Sequence, residues 1–361
     1  ATRGNACCMK RVVIVGGGVV GLWCAVRLRQ GGAQVTVLEA EREDLSVFSP
    51  TASAAAAGML APVEHAVSPH ERVALESFDI WRRSQANAEW ADGVHFGGAV
   101  VISGSGEEAE ALRANAQRLG RQARALNIAQ LRKLWPFSVN VAHATFIADE
   151  GIADPLRVLS GLAMQARALG ALIEYEADVA NVTANAAMTQ EGRVYEADQV
   201  ILAPGAWATE KLMDAAPALR QIRPAKGQLV SVILPGPLGA TVRAPGFYAA
   251  QRRHDVVLGA TLEFDRFDRR PDPAASDALL AKANALFTGE VKPAGQSWAG
   301  IRPMSPDGWP AIGRSGDVLV AAGHSRNGWL LAPITAEIIS AYVFDASLET
   351  GWAALSPERF A

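Results

Sequence analysis

Cysteine is scarce. The 361 residues include three, Cys7, Cys8 and Cys24, all near the start. None has the spacing of a zinc or redox motif, and three thiols cannot build a disulfide framework for a chain of this length. The six histidines, at positions 65, 70, 95, 143, 254 and 324, form no H-x-x-H or H-E-x-x-H pattern, so no metal site is expected. Such sparing use of cysteine fits a reducing, cytoplasmic setting. Charge of one sign is also missing. Lys and Arg total 34 against 37 Asp and Glu, a formal charge of −3, with no basic excess to recruit nucleic acid or an anionic membrane surface. Long hydrophobic runs are absent as well. The longest, residues 12–26, contains a glycine cluster and is too short to span a bilayer. No small-residue cleavage site follows it, so it is not read as a signal peptide. Residues 1–8 precede Met9 without periodicity; they read as an upstream extension or an expression remnant and are left out of the fold argument.

Half of the residues are hydrophobic, enough for a large core and two or three domain-sized units. Arg11–Val15 is a short apolar run, followed by a glycine cluster, a helical stretch to Gln30 and a second strand over residues 34–39. This is a β-α-β unit. Periodicity predicts helices over residues 71–90, 107–126, 155–169, 274–287 and 329–344. It predicts strands within 94–103, 172–175, 179–183, 193–195, 199–203 and 317–322, and a strand-rich region over 228–259. No internal repeat or low-complexity tail interrupts the chain. Nucleotide-fold signals occur at the start, middle and end, with antiparallel strand material between them. The expected fold is therefore α/β: a discontinuous Rossmann-type dinucleotide domain (1–90, 146–220 and 300–361) carrying an inserted mixed or antiparallel sheet domain (91–145 and 221–299).

Residues 16–21, GGGVVG, fit G-x-G-x-x-G in the required context, after a strand and at the start of a helix. Gly16 permits the tight turn, Gly18 lets backbone approach a pyrophosphate, and Gly21 lets helix and strand pack closely. Val19 and Val20 open the helix, whose free N–H groups and positive dipole end suit phosphate. Glu39 follows 23 positions after Gly16 at the end of the second strand, where a carboxylate accepts from ribose hydroxyls. This fingerprint alone leaves FAD and NAD open.

Four further stretches resemble the glycine oxidase/D-amino-acid oxidase family of FAD-dependent amine oxidoreductases, and most closely its glycine oxidase branch. They are the fingerprint with Glu39 and Ala40; residues 51–60 (TASAAAAGML); residues 298–303 (WAGIRP) with 307–313 (DGWPAIG); and residues 322–333 (AGHSRNGWLLAP). Residues 224–228 (PAKGQ) and 205–207 (GAW) are similar landmarks, and the resemblance runs from Arg11 to about Tyr342. It implies non-covalent FAD. No cysteine follows Cys24, which excludes a cysteinyl flavin link from the C-terminal half. It also implies that Ala52, Ser53, Ala57, Gly58 and Met59 run beside the flavin, the plainer alternative being a small-residue helix contact. Val179 would contact the adenine side. His324, Ser325 and Arg326 would line the flavin, with His324 contributing backbone rather than acid–base chemistry. Asn327, Gly328, Trp329 and Leu330 would turn helix-start N–H groups toward the charge that a reduced flavin carries.

At the substrate end the resemblance assigns Arg302 to the substrate carboxylate, a role suited to a planar fork; the plainer reading is a surface ion pair. Tyr248 matches a tyrosine whose hydroxyl touches the same carboxylate, or is a half-buried strand residue. Arg326 matches a second substrate-side arginine. Phe247, Thr261, Met59 and Trp329 are candidate side-chain liners. The implied chemistry is hydride transfer from Cα of glycine, sarcosine or a small D-amino acid to flavin N5, which needs no strong side-chain base. The products are an oxo acid, ammonia or an amine, and H2O2 when O2 is the acceptor. Two alternatives stand beside it: a D-amino-acid or hydroxyproline-type dehydrogenase feeding a quinone or carrier, and a non-catalytic flavin-binding or RNA-associated protein, against which the charge of −3 and Arg302 argue. The expected partners are thus a small amino or imino acid and an electron acceptor, without nucleic acid or an integral membrane segment. The family resemblance adds a homo-oligomer and a place in amino-acid catabolism or thiamine biosynthesis.

Overall fold

A computed structural model describes residues 9–64, 69–135, 139, 141–252, 255–288 and 291–360. Segment 1–8, with Cys7 and Cys8, and the histidines at 65 and 254 lie outside the described residues.

Strand Arg11–Val15, helix Val19–Gln30 and strand Gln34–Leu38 form the β-α-β unit. They sit inside a six-stranded sheet with the order Ala311–Ser315, Val318–Ala322, Gln199–Leu202, Arg11–Val15, Gln34–Leu38, Leu172–Glu174. All neighbours are parallel except the Ala311–Ser315 edge. Near-continuous Val, Ile and Leu runs are what a sheet covered on both faces requires. Val12 and Ile14 face helices Val19–Gln30 and Gly328–Val343. Val13 and Val15 face a three-stranded meander of Val179–Thr183, Ala186–Thr189 and Val194–Glu196. Helix Gly328–Val343 is apolar almost all round because it is buried between the sheet and other helices. Its Glu337 pairs with Arg27 at 2.8 Å.

A second, larger sheet has nine strands, antiparallel except where Ala99–Ile102 runs parallel to Thr241–Ala244. Its longest pairing joins Arg223–Ile233 to Lys292–Met304. Helix Pro273–Leu286 covers one face, burying Leu279, Ala283 and Leu286. A small third sheet joins Met59–Leu60, Gly151–Ala153 and Val94–His95. The α/β class and its pair of sheet systems are as expected.

Three local expectations need correction. The helix expected over 107–126 is Gly106–Arg118, and Ala123–Leu126 is a strand beside Ala144–Ile147. Gly120 takes φ +69, and the Arg121 N–H returns to the Ala116 carbonyl, a left-handed stop that charge and Ala/Leu content did not reveal. The helix expected over 71–90 ends at Ser84, and a 3-10 turn over Gln85–Asn87 follows. The Gln85 amide donates to the Ala91 and Val94 carbonyls, which turns the chain away from the helix axis. The strand Lys292–Met304 was not foreseen, because Pro293, Gly295, Gly300 and Pro303 read as turn residues. Its ladder runs with Arg223–Ile233, and its other side makes only an isolated bridge, Met304 to His324, near its end; an edge strand tolerates proline.

Gly161, inside helix Pro155–Ala168, tests the packing. A Cβ there would lie 2.6 Å from the Trp90 Cα and 2.8 Å from the Glu89 carbonyl oxygen. Alanine gains about 1 kcal/mol of helix propensity over glycine, but overpacking costs about 1–3 kcal/mol. Gly161→Ala is therefore expected to lower the unfolding free energy by about 1 kcal/mol or more in urea titrations; unchanged or higher stability would show that the turn carrying Glu89 and Trp90 moves freely away from the helix.

Candidate active site

Between the two large sheets lies a cavity of about 900 Å³, within the size of small-molecule sites. One end is built on the glycine turn. Gly16 has φ +105, and a Cβ there would sit 2.3 Å from the Ala203 carbonyl oxygen, so the turn is closed to any other residue. Gly18 precedes helix Val19–Gln30 and offers it no side-chain cap. Instead the Ser53 hydroxyl accepts from the Val19 N–H at 3.0 Å. Glu39 spans the turn: its carboxylate accepts from the Gly17 N–H at 2.5 Å and the Glu41 N–H at 2.9 Å. Burial pushes its carboxyl pKa up, against these backbone donors.

The wall continues along residues 51–60. The Thr51 hydroxyl caps the short turn Ala52–Ala55 by accepting from the Ser53 N–H at 3.3 Å. Two indoles pin this turn. Trp298 donates to the Ala55 carbonyl at 2.9 Å, and Trp329 donates to the Ser53 carbonyl at 3.2 Å. The bland expectation for this segment, close packing, and the cavity-lining expectation therefore describe the same residues.

The third wall is the corner between strand Val318–Ala322 and helix Gly328–Val343. Ser325 holds φ 54, a left-handed conformation uncommon outside glycine; its N–H donates to the Pro303 carbonyl at 2.9 Å. Asn327 does not cap its own helix, so the helix start, with Gly328 and Trp329, opens on the cavity. His324 faces inward. Thr335 Oγ1 gives its proton to the Leu331 carbonyl, so its 2.9 Å contact with His324 Nε2 requires Nε2 to donate. Burial lowers the imidazole pKa to about 3. The ring is neutral and structural.

The other end of the cavity lies on the nine-stranded sheet. Trp298, Gly300 and Arg302 alternate onto one face, and Gly300 stands opposite Gly227. A Cβ on Gly227 would overlap the Arg302 guanidinium, at 1.8 Å from Nη1. A Cβ on Gly259 would likewise lie 2.3 Å from the Tyr248 hydroxyl. Both long side chains thus lie down over a glycine. Arg302 Nη1 donates to the Thr261 carbonyl at 3.1 Å, and among the described residues no carboxylate pairs with it. The surface ion-pair reading of Arg302 is thereby excluded. Burial lowers the Arg302 pKa from its ordinary value, and neighbouring Arg326 acts in the same direction. Burial raises the Tyr248 hydroxyl, with Arg302 opposing the shift. Arg326 is exposed.

The family pattern for FAD dependent oxidoreductases, DAO, matches residues 11–342. The chain belongs to this family. Glycine oxidase of Bacillus licheniformis is 28% identical over 358 residues, covering 94% of each chain. The bifunctional protein ThiO/ThiG of Synechocystis sp. is 31% identical over 374 residues, which span 97% of this chain and 54% of that protein. The chain thus spans about half the length of those bifunctional relatives. Among solved structures, glycine oxidase from Geobacillus kaustophilus superposes with a TM-score of 0.82 at 27% identity, covering 96% of this chain and 98% of that one.

The cofactor of this FAD dependent oxidoreductase is FAD, and the cavity suits it. A side-chain-free turn at a helix start would suit its pyrophosphate, Glu39 a ribose, a narrow lane of small residues its flat ring, and a second helix start the charged edge of that ring. Gly16, Gly18, Val19, Val20, Glu39 and Ala40 line the first stretch, together with Val179. Ala52, Ser53, Ala57, Gly58 and Met59 line the second. His324, Ser325, Arg326, Asn327, Gly328 and Trp329 line the third, and Tyr248 and Arg302 the other end. Gly21 and Leu330 do not line the cavity. A Cβ on Gly21 would lie 1.9 Å from the Gly16 carbonyl oxygen, so Gly21 supports the turn from behind. Leu330 is buried in the core, its carbonyl accepting from Ser77 at 2.6 Å. Of the candidate liners, Phe247, Thr261, Met59 and Trp329 all reach the cavity. Sequence reasoning missed Gly227, Gly259 and Gly300, although Gly227 and Gly300 sit inside quoted motifs. It also missed Arg243, on the cavity wall but committed to Glu150 and Glu64.

Among the described residues, no group of three His, Cys, Asp or Glu could hold a metal, and no helix is long and apolar enough to cross a membrane.

Gly16→Ala is expected to purify with less than a tenth of the bound FAD, read from the ratio of visible to protein absorbance; full FAD content would show that the turn relaxes. His324 sets an acid limit. Its folded pKa is about 3, below the ordinary imidazole value of 6.5. The unfolded chain therefore binds the extra proton below 6.5, and stability falls as pH drops from there toward 3. His324→Gln, which retains an amide donor for Thr335, should flatten the fall in urea midpoint between about pH 6 and 4; an unchanged slope would assign acid sensitivity elsewhere.

Proposed function

We propose that the chain catalyses oxidative deamination of glycine, sarcosine or a small D-amino acid, with O2 as electron acceptor and H2O2 as the second product. The observation that carries this reading is Arg302: a guanidinium with no carboxylate partner among the described residues, oriented by the Thr261 carbonyl and lying beside Tyr248 in the FAD cavity. Such a group suits a ligand carboxylate. The named glycine oxidases of Bacillus licheniformis and Geobacillus kaustophilus support the substrate class.

In this reading Arg302 binds both carboxylate oxygens through its planar fork. Tyr248 donates its hydroxyl to the same group, and burial keeps that hydroxyl protonated over the working pH range. Gly227 leaves the guanidinium its space. Fixing the carboxylate fixes Cα, so catalysis is chiefly orientation. His324 is tied to Thr335 and is not the base, so this reading requires the substrate amine to enter neutral. FAD, when bound, supplies the two-electron acceptor for the hydride leaving Cα. The imine then hydrolyses to an oxo acid with ammonia or an amine.

The same reading keeps residues 1–90, 146–220 and 300–361 as the FAD-binding domain, residues 91–145 and 221–299 as the substrate-binding domain, non-covalent FAD, and a cytoplasmic homo-oligomer.

Anaerobic flavin reduction screened across glycine, sarcosine, D-alanine, D-proline and D-hydroxyproline tests the substrate class, and H2O2 release in air tests the acceptor. Rapid reduction with negligible reoxidation by O2 would replace the oxidase by a dehydrogenase. No bleaching by any of the five would reject amine chemistry. Arg302→Ala is expected to raise KM by about 100-fold or more with FAD retained, on the order of 3 kcal/mol for a lost charge-assisted pair; an intact KM would mean that the carboxylate is held elsewhere.

A further inference from the structure

Three consecutive residues beside the cavity divide their directions. Gly227 faces Arg302, so strand alternation sends Lys226 and Gln228 to the other side of the sheet. Both are almost completely buried, at 1% and 0% exposure, although lysine is rarely buried without a partner. What they hold is the segment 260–272, which leads from strand Val256–Gly259 to helix Pro273–Leu286.

Lys226 Nζ donates to Asp268 Oδ1 at 2.8 Å, and among the described residues Asp268 is its ion-pair partner. Asp268 also accepts from Arg266 Nε at 2.8 Å and from the Arg270 N–H at 3.3 Å. These donors, Lys226 first, hold its carboxyl well below the usual carboxylate range. Gln228 grips the segment at both ends. Its N–H donates to Thr261 Oγ1 at 2.9 Å. Its amide donates to the Asp272 carbonyl at 2.8 Å and accepts from the Asp272 N–H at 2.6 Å. The Thr261 carbonyl in turn accepts from Arg302. Across the mouth, Phe267 meets Trp207 edge-on at 4.6 Å, and Arg269 donates to the Phe48 carbonyl at 2.6 Å.

We propose that Lys226 and Gln228 are positioning residues for the carboxylate anchor. They clamp segment 260–272 so that the Thr261 carbonyl aims Arg302, and Asp268 is the point through which Lys226 acts. The proposal rests on Arg302 being the anchor. An arginine stem is flexible, and its value to a carboxylate depends on the fork being already aimed. Loss of the clamp therefore weakens ground-state and transition-state binding alike, which appears in KM and not in kcat.

Asp268 is partly exposed, so Asp268→Ala tests the clamp without opening the core. The probe is glycolate, a carboxylate without an amine, titrated into the FAD-loaded enzyme and followed by the change in visible absorbance. Asp268→Ala and Lys226→Met are expected to raise glycolate Kd and substrate KM by about tenfold, with kcat within about twofold and FAD content unchanged. Asp268→Glu should restore most of the affinity. Arg266→Ala, which removes surface bonds to Asp268 and Glu263 and leaves the Lys226–Asp268 pair in place, should leave Kd unchanged. Arg302→Ala is measured alongside. If it abolishes glycolate binding while Asp268→Ala and Lys226→Met bind like wild type, the clamp is overturned and the anchor stands. If Arg302→Ala itself binds glycolate like wild type, the anchor is wrong and the clamp falls with it. Loss of thermal stability in Lys226→Met without a change in Kd would also overturn the proposal, since a purely structural lysine gives that result.

Discussion

A guanidinium with no counter-ion among the described residues is the constraint on which the proposed substrate end depends. Taking a cation out of water costs several kcal/mol unless polar groups replace the lost hydration. Arg302 receives one carbonyl from Thr261 and the neighbourhood of the Tyr248 hydroxyl, while Arg326 adds unfavourable like charge. A carboxylate ligand would complete that set. Such an arrangement is stable only if nothing else fills the space, which is why glycine stands beneath the guanidinium at 227 and beneath the phenol at 259. It also requires the Thr261 carbonyl to stay in place, and Gln228 fixes Thr261 through its own N–H.

The cofactor end solves the opposite electrostatic problem with backbone instead of side chains. Helices Val19–Gln30 and Gly328–Val343 both begin at the cavity, one after the glycine turn and one after the Ser325 corner. Each offers oriented N–H groups beyond the carboxyl end of a parallel strand, the usual ligand position of that architecture. The two ends are joined by the small-residue turn Ala52–Ala55, which Trp298 of the large sheet and Trp329 of helix Gly328–Val343 grip from two directions. One pair of indole hydrogen bonds thus ties the glycine turn, through Ser53, to the strand that carries Arg302.

How much of this was legible along the chain varied with the range of the forces involved. The β-α-β unit was readable because the apolar run Val12–Val15, the glycines and Glu39 lie close together along the chain. Strand Lys292–Met304 was not: its prolines and glycines signal turns locally, and only its edge position beside Arg223–Ile233 makes them acceptable. The missed end of the helix at Arg118 has the same origin, since the left-handed Gly120 is one glycine among 33.

The residue types of the site were determined by the sequence alone: a glycine turn at 16–21, an acid at 39, small residues at 52–58, and an arginine inside Gly-Ile-Arg-Pro. So was the class of fold, because hydrophobic period and turn chemistry are local properties. That Arg302 faces the cavity with no carboxylate partner among the described residues was decided only by the tertiary structure. It committed Arg243 to Glu150 and Glu64, sent Lys226 to Asp268, and left Arg302 over Gly227. Charges separated by tens of residues acquire partners only when strands pair, so the free valence of a side chain is a property of the fold.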